Sequence, residues 1–153
     1  GFRQFLQILD DGRVAIAAMA VGLAQGCLDH SVAYAGERRT FGRAIGSYQG
    51  VAFKCADMAV DVAAARLLTY RAAWLRDRGR PFRSKAAMAK LFSSEMSIRV
   101  MHDVVQILGG YGYMEEYEVE RMARDARLGT IGAGTSEVQR LIIARELIKQ
   151  SMG

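Results

Sequence analysis

Apolar residues recur along the chain at intervals of three and four, the spacing that places side chains on one face of an α-helix. Between residues 51 and 65 they are Val51, Cys55, Met58, Val62 and Ala65. A second run with this spacing extends from residue 87 to residue 108, and no segment alternates as a strand would. The pattern predicts an all-α protein: an up-down-up-down four-helix bundle with a short extra helix before the last long helix.

The first long apolar segment runs from Val14 to Leu28 and is interrupted only at Gln25. A helix that is apolar on nearly all sides is buried on most of them, so we expect this one to be the central helix of the bundle. Asp10 and Arg13 precede the segment. Taken by themselves, they are compatible with a helix start whose first turn is stabilised by acidic residues.

The composition is that of one globular domain of 153 residues, with 51% hydrophobic and 24% charged residues. A net charge of +5 admits nucleic acid, a membrane surface or anionic small molecules as partners. The arginines are scattered and form no DNA-binding arm, so we expect no nucleic-acid partner. No uninterrupted apolar run of about 20 residues predicts a membrane span, and no signal peptide is visible.

Cysteine and histidine are too few to suggest a metal site or a disulfide framework. Cys27 and Cys55 each lie in an apolar helical run, and the histidines are His30 and His102, with no CxxC motif beside them. We therefore expect no metal. We interpret both cysteines as core residues of a protein from a reducing compartment.

A glycine-punctuated loop runs into the last predicted helix, from Leu128 to Arg140, with the sequence LGTIGAGTSEVQR. Ser136 is predicted to cap that helix, and Gln139 completes a capping-box pattern. A helix start favours an anion because it exposes backbone N–H groups, although an ordinary loop and cap would show the same residues. A second glycine cluster, QILGGYG from Gln106 to Gly112, is compatible with a glycine C-cap and with close approach to a ligand.

Taken in order, the motifs resemble the C-terminal domain of the flavin-dependent acyl-CoA dehydrogenases. They are DDGR, ERRTFGRAIGSYQ, KCADMAVDVAAARLL, AAMAKLFSSE, QILGGYGY, ERMARDARL and GTSEVQRLIIAREL. The resemblance covers residues 1–153, and the family's N-terminal helical and middle β-domains lie outside them. It implies FAD as cofactor, an acyl-CoA substrate oxidised to 2,3-enoyl-CoA, and electron-transfer flavoprotein or another electron acceptor. It also implies a homodimer or homotetramer, a location in the bacterial cytoplasm or the mitochondrial matrix, and no activity for the isolated domain.

The same resemblance assigns residues to the cofactor and the substrate. Those assigned to FAD are Arg38, Phe41, Gln49, Gln106, Gly109, Gly110, Thr135, Ser136 and Glu137. Those assigned to the acyl-CoA are Asp10, Arg13 and Gly134. An arginine suits pyrophosphate oxygens because its guanidinium is a planar, charged fork. Without the resemblance, the residue types favour an exposed charge at Arg38 and a core residue at Phe41.

The catalytic base is missing from both positions where the family usually carries it. Dehydrogenation needs a carboxylate to remove the α-proton of the thioester, while the flavin takes the β-hydrogen as hydride. By resemblance, the two usual glutamate positions are occupied here by Ala133 and Gly12. Asp11 is a weak candidate for the base, and Glu137 and Glu115 are weaker still.

The sequence thus leaves three hypotheses. The first is an acyl-CoA dehydrogenase domain that contributes to cofactor, substrate and subunit contacts. The second is a catalytically silent family member or a non-catalytic subunit, because Ala133 and Gly12 replace glutamate. The third, a generic helical interaction module, explains the ordered motifs least well.

Overall fold

The computed structural model describes residues 2–152, and it describes the side chains of residues 8–149, 151 and 152. Five α-helices make up most of this part: α1 Phe2–Glu37, α2 Gln49–Asp77, α3 Arg83–Leu108, α4 Val119–Gly129 and α5 Ser136–Ser151. The four long helices form the bundle, and the short α4 precedes the last of them. The predicted all-α bundle is therefore confirmed.

The central helix of the bundle is α3, which contacts α1, α2, α4 and α5. Small residues on several of its sides are buried and let these neighbours approach closely; they are Ala86, Ala87, Ala89, Ser93, Ser94 and Ser97. The expectation that the first helix is central is wrong. Although the segment from Val14 to Leu28 is almost entirely apolar, Met19 within it and Val32 after it are exposed. Its abundant alanine and glycine suit helix packing, but they do not decide how many sides a neighbour covers.

Helix α1 runs without interruption through Asp10 and Arg13, so these residues lie inside a helix and the interpretation as a helix start is wrong. Gly12 lies between them and does not end the helix, because a single interior glycine costs only about 1 kcal/mol. Asp10 and Arg13 form a buried ion pair at a spacing of three residues, which is one turn of the helix.

The connection after α1 contains a small antiparallel hairpin, β1 Arg39–Thr40 paired with β2 Arg43–Ala44. Phe41, at its tip, has a φ of +50°. The Tyr48 hydroxyl donates a hydrogen bond of 2.9 Å to the Thr40 carbonyl oxygen and so fastens the hairpin to the start of α2. A 3₁₀ turn, Ile45–Ser47, leads into α2.

Helix α3 ends at Gly109, whose φ of +60° is a conformation that glycine adopts at little cost. Its N–H donates to the Val105 carbonyl oxygen, so the interpretation as a glycine C-cap is confirmed. Two 3₁₀ turns follow, Gly109–Tyr113 and Glu115–Tyr117. A Cβ at Gly112 would lie 2.7 Å from the Val105 carbonyl oxygen, which excludes any side chain there.

The two cysteines differ in environment. Cys27 is buried in the core between the thioethers of Met101 and Met122, and burial raises the pKa of its thiol to about 11. Cys55 is only half-buried, so the expectation of a core position holds fully for Cys27 alone. In the described part of the chain, Ile8–Glu37 is long and apolar enough to cross a membrane by length and composition, a test that a bundle's core helix also passes.

Candidate functional site

The loop before α5 has two consecutive residues in the left-handed region. Ala133 has a φ of +54° and Gly134 a φ of +90°. The cap of α5 is Thr135, whose hydroxyl accepts a hydrogen bond of 3.4 Å from the Val138 N–H. The predicted cap at Ser136 is therefore wrong, because Thr135 already has the extended backbone that a cap requires and Ser136 is the first helical residue.

Ser136 and Gln139 point into the protein instead of closing a capping box. Ser136 is buried, and its hydroxyl has no hydrogen-bond partner among the described residues. The Gln139 amide donates hydrogen bonds of 2.9 Å to the Gly134 carbonyl oxygen and 3.3 Å to the Ala133 carbonyl oxygen. This amide therefore holds the loop in its left-handed conformation.

A buried lysine that the sequence analysis missed also holds the loop. Lys90 on α3 is 0% exposed, and its ammonium group donates a hydrogen bond of 2.7 Å to the Gly134 carbonyl oxygen. Burial, reinforced by the positive charge of Arg13, lowers the pKa of Lys90. Lys90 is four residues after the buried Ala86, so a charge on an apolar helical stripe was the signal that could have identified it.

Asp10 and Arg13, assigned to the substrate by resemblance, lie near this lysine. Both side chains are buried. Burial raises the pKa of Asp10, against the opposing effect of Arg13 and Arg83. Burial likewise lowers the pKa of Arg13, and its Nε atom has no partner among the described residues. Arg13 and Lys90 together bring more positive charge into this region than Asp10 alone can balance.

Asp11 faces away from this cluster. Its carboxylate accepts hydrogen bonds of 2.5 Å and 3.3 Å from the guanidinium of Arg76, and its side chain is 42% exposed. The hydrogen bond from Arg76 lowers the pKa of Asp11. A general base in such a reaction needs a carboxylate whose pKa is raised by burial, and Asp11 has neither property.

Residues from two distant parts of the chain meet at a cavity of about 540 Å³. Arg38, Gly109 and Gly110, all assigned to FAD, line it together with Tyr34 and Tyr111. The Arg38 guanidinium lies 5.5 Å from the centre of the Tyr111 ring, within range of a cation–π contact. A ligand could approach the backbone of Gly110 closely, since a Cβ there would meet no atom of the described residues within 4 Å.

Three of the residues assigned to FAD line neither this cavity nor the one at the start of α5. Phe41 is 97% exposed at the hairpin tip, so the alternative of a core residue is wrong. Gln49 is the exposed first residue of α2, and Gln106 is exposed in the last turn of α3. The structure therefore leaves their side chains free on the surface without gathering them into one site.

The start of α5 lines a second cavity, of about 390 Å³. Thr135, Ser136 and Glu137 line it together with Arg99 and Arg127. Hydrogen bonds from its own backbone N–H and from Thr135 lower the pKa of Glu137. The Glu137 carboxylate therefore acts as a charged hydrogen-bond acceptor at the helix start. Its lowered pKa argues against the weak hypothesis that Glu137 is the catalytic base. Among the described residues, no cluster of His, Cys, Asp and Glu side chains could hold a metal ion.

A family model described as "Acyl-CoA dehydrogenase, C-terminal domain" matches residues 1–148. The chain belongs to the acyl-CoA dehydrogenase family, as its C-terminal domain. The recognition made from the ordered motifs is thus confirmed.

Relatives and solved structures agree with this membership. The chain is 58% identical to the probable acyl-CoA dehydrogenase YngJ of Bacillus subtilis over 97% of its own length and 39% of that protein. Butyryl-CoA dehydrogenase from Megasphaera elsdenii superimposes with a TM-score of 0.95 at 42% identity, over 97% of this chain and 39% of that one. PigA, solved with FAD and proline, superimposes with a TM-score of 0.89 at 32% identity, over 91% and 36%.

This acyl-CoA dehydrogenase domain therefore spans about two-fifths of the length of the relatives it matches. Within it, the structure gathers Arg38 with Gly109 and Gly110, and separately gathers Arg13 with Lys90 at the Gly134 loop. These two groups are the candidate binding regions of this domain.

Proposed function

We propose that the protein containing this chain is an FAD-dependent acyl-CoA dehydrogenase that oxidises acyl-CoA to 2,3-enoyl-CoA. In this proposal, the domain supplies contacts to FAD and acyl-CoA as well as part of the subunit interface. The observation that carries it is the meeting of Arg38, Gly109 and Gly110, distant in sequence, at one cavity. Butyryl-CoA, which the name of a structural relative supplies, is the first substrate to test.

Two features of this structure fit FAD. Arg38 offers a charged fork for pyrophosphate oxygens at an open glycine-lined cavity. Ser136 offers a buried hydroxyl that lacks a partner among the described residues, at a helix start suited to negative charge. When bound, FAD would take the β-hydrogen of the substrate as hydride. The residues of this domain would bind and orient it.

Toward the substrate, the domain contributes fixed positive charge and a rigid loop. Removal of the α-proton builds negative charge on the thioester oxygen, and preorganised buried charges stabilise such charge more than water does. Arg13 and Lys90 are buried, and Lys90 and Gln139 fix the Gly134 carbonyl oxygen. These contacts support a role in holding the reacting acyl group at the loop.

A second candidate function is a catalytically silent family member or a non-catalytic subunit. The observation that favours it is the absence of a suitable base in this chain. Ala133 and Gly12 occupy the usual glutamate positions, and Asp11 is exposed and paired with Arg76. A silent protein would still bind FAD and acyl-CoA, since Arg38 and Arg13 do not depend on the base.

The remaining assignments follow from family membership. We propose electron-transfer flavoprotein or another acceptor as the redox partner, and a dimer or tetramer as the assembly. A bacterial cytoplasmic location fits the relative from Bacillus subtilis. A mitochondrial matrix location would apply to a eukaryotic source.

The test uses the full-length protein that contains this chain. We expect a yellow protein with about one FAD per subunit, which reduces an artificial electron acceptor on addition of butyryl-CoA. Arg38→Met should lower the FAD content, whereas Arg39→Met is the matched control, because Arg39 is exposed in β1 and does not line the cavity. FAD and acyl-CoA binding without turnover would favour the silent subunit. Absence of FAD binding would overturn both proposals.

A further inference from the structure

Two side chains donate hydrogen bonds to one carbonyl oxygen in the loop before α5. The oxygen belongs to Gly134, and the donors are the Gln139 amide at 2.9 Å and the Lys90 ammonium group at 2.7 Å. Gln139 also donates to the Ala133 carbonyl oxygen, so this neutral amide already bonds two consecutive carbonyls of the loop. What Lys90 adds to the contact is its charge.

The charge of Lys90 is costly to bury. The side chains of Lys90 and Gln139 are both 0% exposed. Burial and the positive charge of Arg13 lower the pKa of Lys90, and Glu137 and Glu95 oppose this lowering without a hydrogen bond to the ammonium group. Removing an ammonium group from water costs several kcal/mol. Because a neutral donor would hold the loop without this cost, the charge indicates a role beyond holding the loop.

The peptide group that accepts a hydrogen bond from Lys90 also carries a donor. The Gly134 carbonyl and the Thr135 N–H belong to the same peptide unit. A positive charge at the carbonyl oxygen makes the N–H of that unit a stronger donor, because consecutive hydrogen bonds polarise one another. The Thr135 N–H has no partner among the described residues, and Thr135 lines the cavity of about 390 Å³ at the start of α5. This N–H is therefore available to a ligand there.

We propose that Lys90 is a positioning residue for the redox reaction: through the Gly134–Thr135 peptide group, its charge strengthens the Thr135 N–H as a hydrogen-bond donor to the flavin of FAD. The inference rests on the proposed function, which assigns FAD to the start of α5. Reduction makes the flavin a more negative acceptor. The reduced cofactor therefore gains more from this donor and from the buried charge than the oxidised cofactor does. We expect Lys90 to raise the reduction potential of bound FAD.

The test measures the reduction potential of FAD in the full-length protein that contains this chain. Lys90→Met should weaken the binding of reduced FAD relative to oxidised FAD at least about tenfold, which lowers the potential by about 30 mV for a two-electron couple. Gln139→Met is the matched control. It also removes one donor from the Gly134 carbonyl oxygen and places methionine at a fully buried position, but it removes no charge. Its ratio should change less than about twofold.

A second pair of variants separates charge from hydrogen bonding at the same position. Lys90→Arg keeps a positive charge and should keep the wild-type potential. Lys90→Gln keeps a neutral donor and should lower the potential as Lys90→Met does. This pair makes the same comparison if Lys90→Met does not fold. Equal shifts in the Lys90→Met and Gln139→Met proteins would show that Lys90 only holds the loop, and would overturn the inference.

Failure of this inference can be distinguished from failure of the proposed function. Reduction by dithionite in the presence of reference dyes measures the potential without substrate turnover, so a catalytically silent protein is open to the same test. A protein that binds FAD and is reduced by butyryl-CoA, but whose potential is unchanged by Lys90→Met, would overturn only the role of Lys90. A wild-type protein that binds no FAD would overturn the proposed function and this inference together.

Discussion

The ammonium group of Lys90 donates a hydrogen bond of 2.7 Å to the carbonyl oxygen of Gly134. The bond joins the central helix α3 to the loop that precedes α5. Lys90 is fully buried, and Gly134 has a φ of +90°, so a buried charge and a left-handed backbone support each other.

Replacement of Lys90 should change how stability depends on pH. Burial and Arg13 lower the pKa of Lys90 below 10.5, so the unfolded chain holds this proton to higher pH than the folded protein does. The free energy of unfolding therefore rises with pH between the lowered pKa and 10.5. Lys90→Met should lack this rise in urea unfolding, whereas Lys85→Met, at an exposed lysine on the same helix, should keep it. A Lys90→Met curve parallel to wild type would contradict the prediction.

Cys27 should produce the opposite slope. Its folded pKa of about 11 exceeds the ordinary 9.0, so its contribution to stability is complete below pH 9.0 and is lost as the pH rises toward about 11. The full loss corresponds to about 3 kcal/mol, since the shift spans about two pKa units of about 1.4 kcal/mol each, and most of it should be reached by about pH 11. Cys27→Ala should be less stable at neutral pH, because it leaves a cavity, but should not show this alkaline loss. Denaturant unfolding from pH 8.5 to about pH 11 measures both effects.

Breaking the buried Asp10–Arg13 pair should cost more than removing it whole. Arg13→Met leaves the Asp10 carboxylate buried with one fewer cation, which should lower the free energy of unfolding by about 3 kcal/mol or more. The double variant Asp10→Leu with Arg13→Met should lose much less. The single variant should regain stability as the pH falls, because protonation of Asp10 removes the unpaired charge. Thermal unfolding of both variants at several pH values compares these outcomes, and equal losses would count against a charge effect.

Gly134 should not tolerate a side chain. At a φ of +90°, an alanine Cβ would lie 2.9 Å from the Gln139 Nε2 atom, so Gly134→Ala should lower stability by about 1–3 kcal/mol. Gly110→Ala is the control, because Gly110 does not have a positive φ and its Cβ would meet no described atom within 4 Å. Chemical denaturation of the two variants should separate them. Equal stability would show that the loop adapts to the added methyl group.

Restoring a carboxylate should speed flavin reduction in the full-length protein. Gly12→Glu has open space for a Cβ among the described residues, and Ala133 already has a positive φ, so Ala133→Glu adds no backbone strain of its own. General-base catalysis contributes about 10²- to 10⁴-fold, and stopped-flow bleaching of the flavin by butyryl-CoA should show part of this gain. Asp11→Asn should change little, because Asp11 is paired with Arg76. A wild type as fast as the restored variants, and slowed by Asp11→Asn, would reverse this view of Asp11.

Much of the site was recognisable from the sequence because it depends on local chemistry. Gly109 and Gly134 have positive φ values, which residues other than glycine adopt only at an energetic cost. The ordered motifs were sufficient to recognise the family. The pairing of Lys90 with Gly134 was not recognisable, since the two residues are 44 positions apart and only the packing of α3 against α5 joins them. For the same reason, the sequence could not show that the Asp10 carboxylate is buried while that of its neighbour Asp11 is exposed.

The sequence by itself determined the helices, since the recurrence of apolar residues at intervals of three and four is a property of the chain alone. Only the tertiary structure decided that Met58 and Val62 face the core while Val60 and Leu67 face outward. It likewise decided that α3, and not α1, is central. The physical reason is that the periodicity of apolar residues predicts which side chains share a face of a helix, whereas their burial depends on which neighbouring helix covers that face.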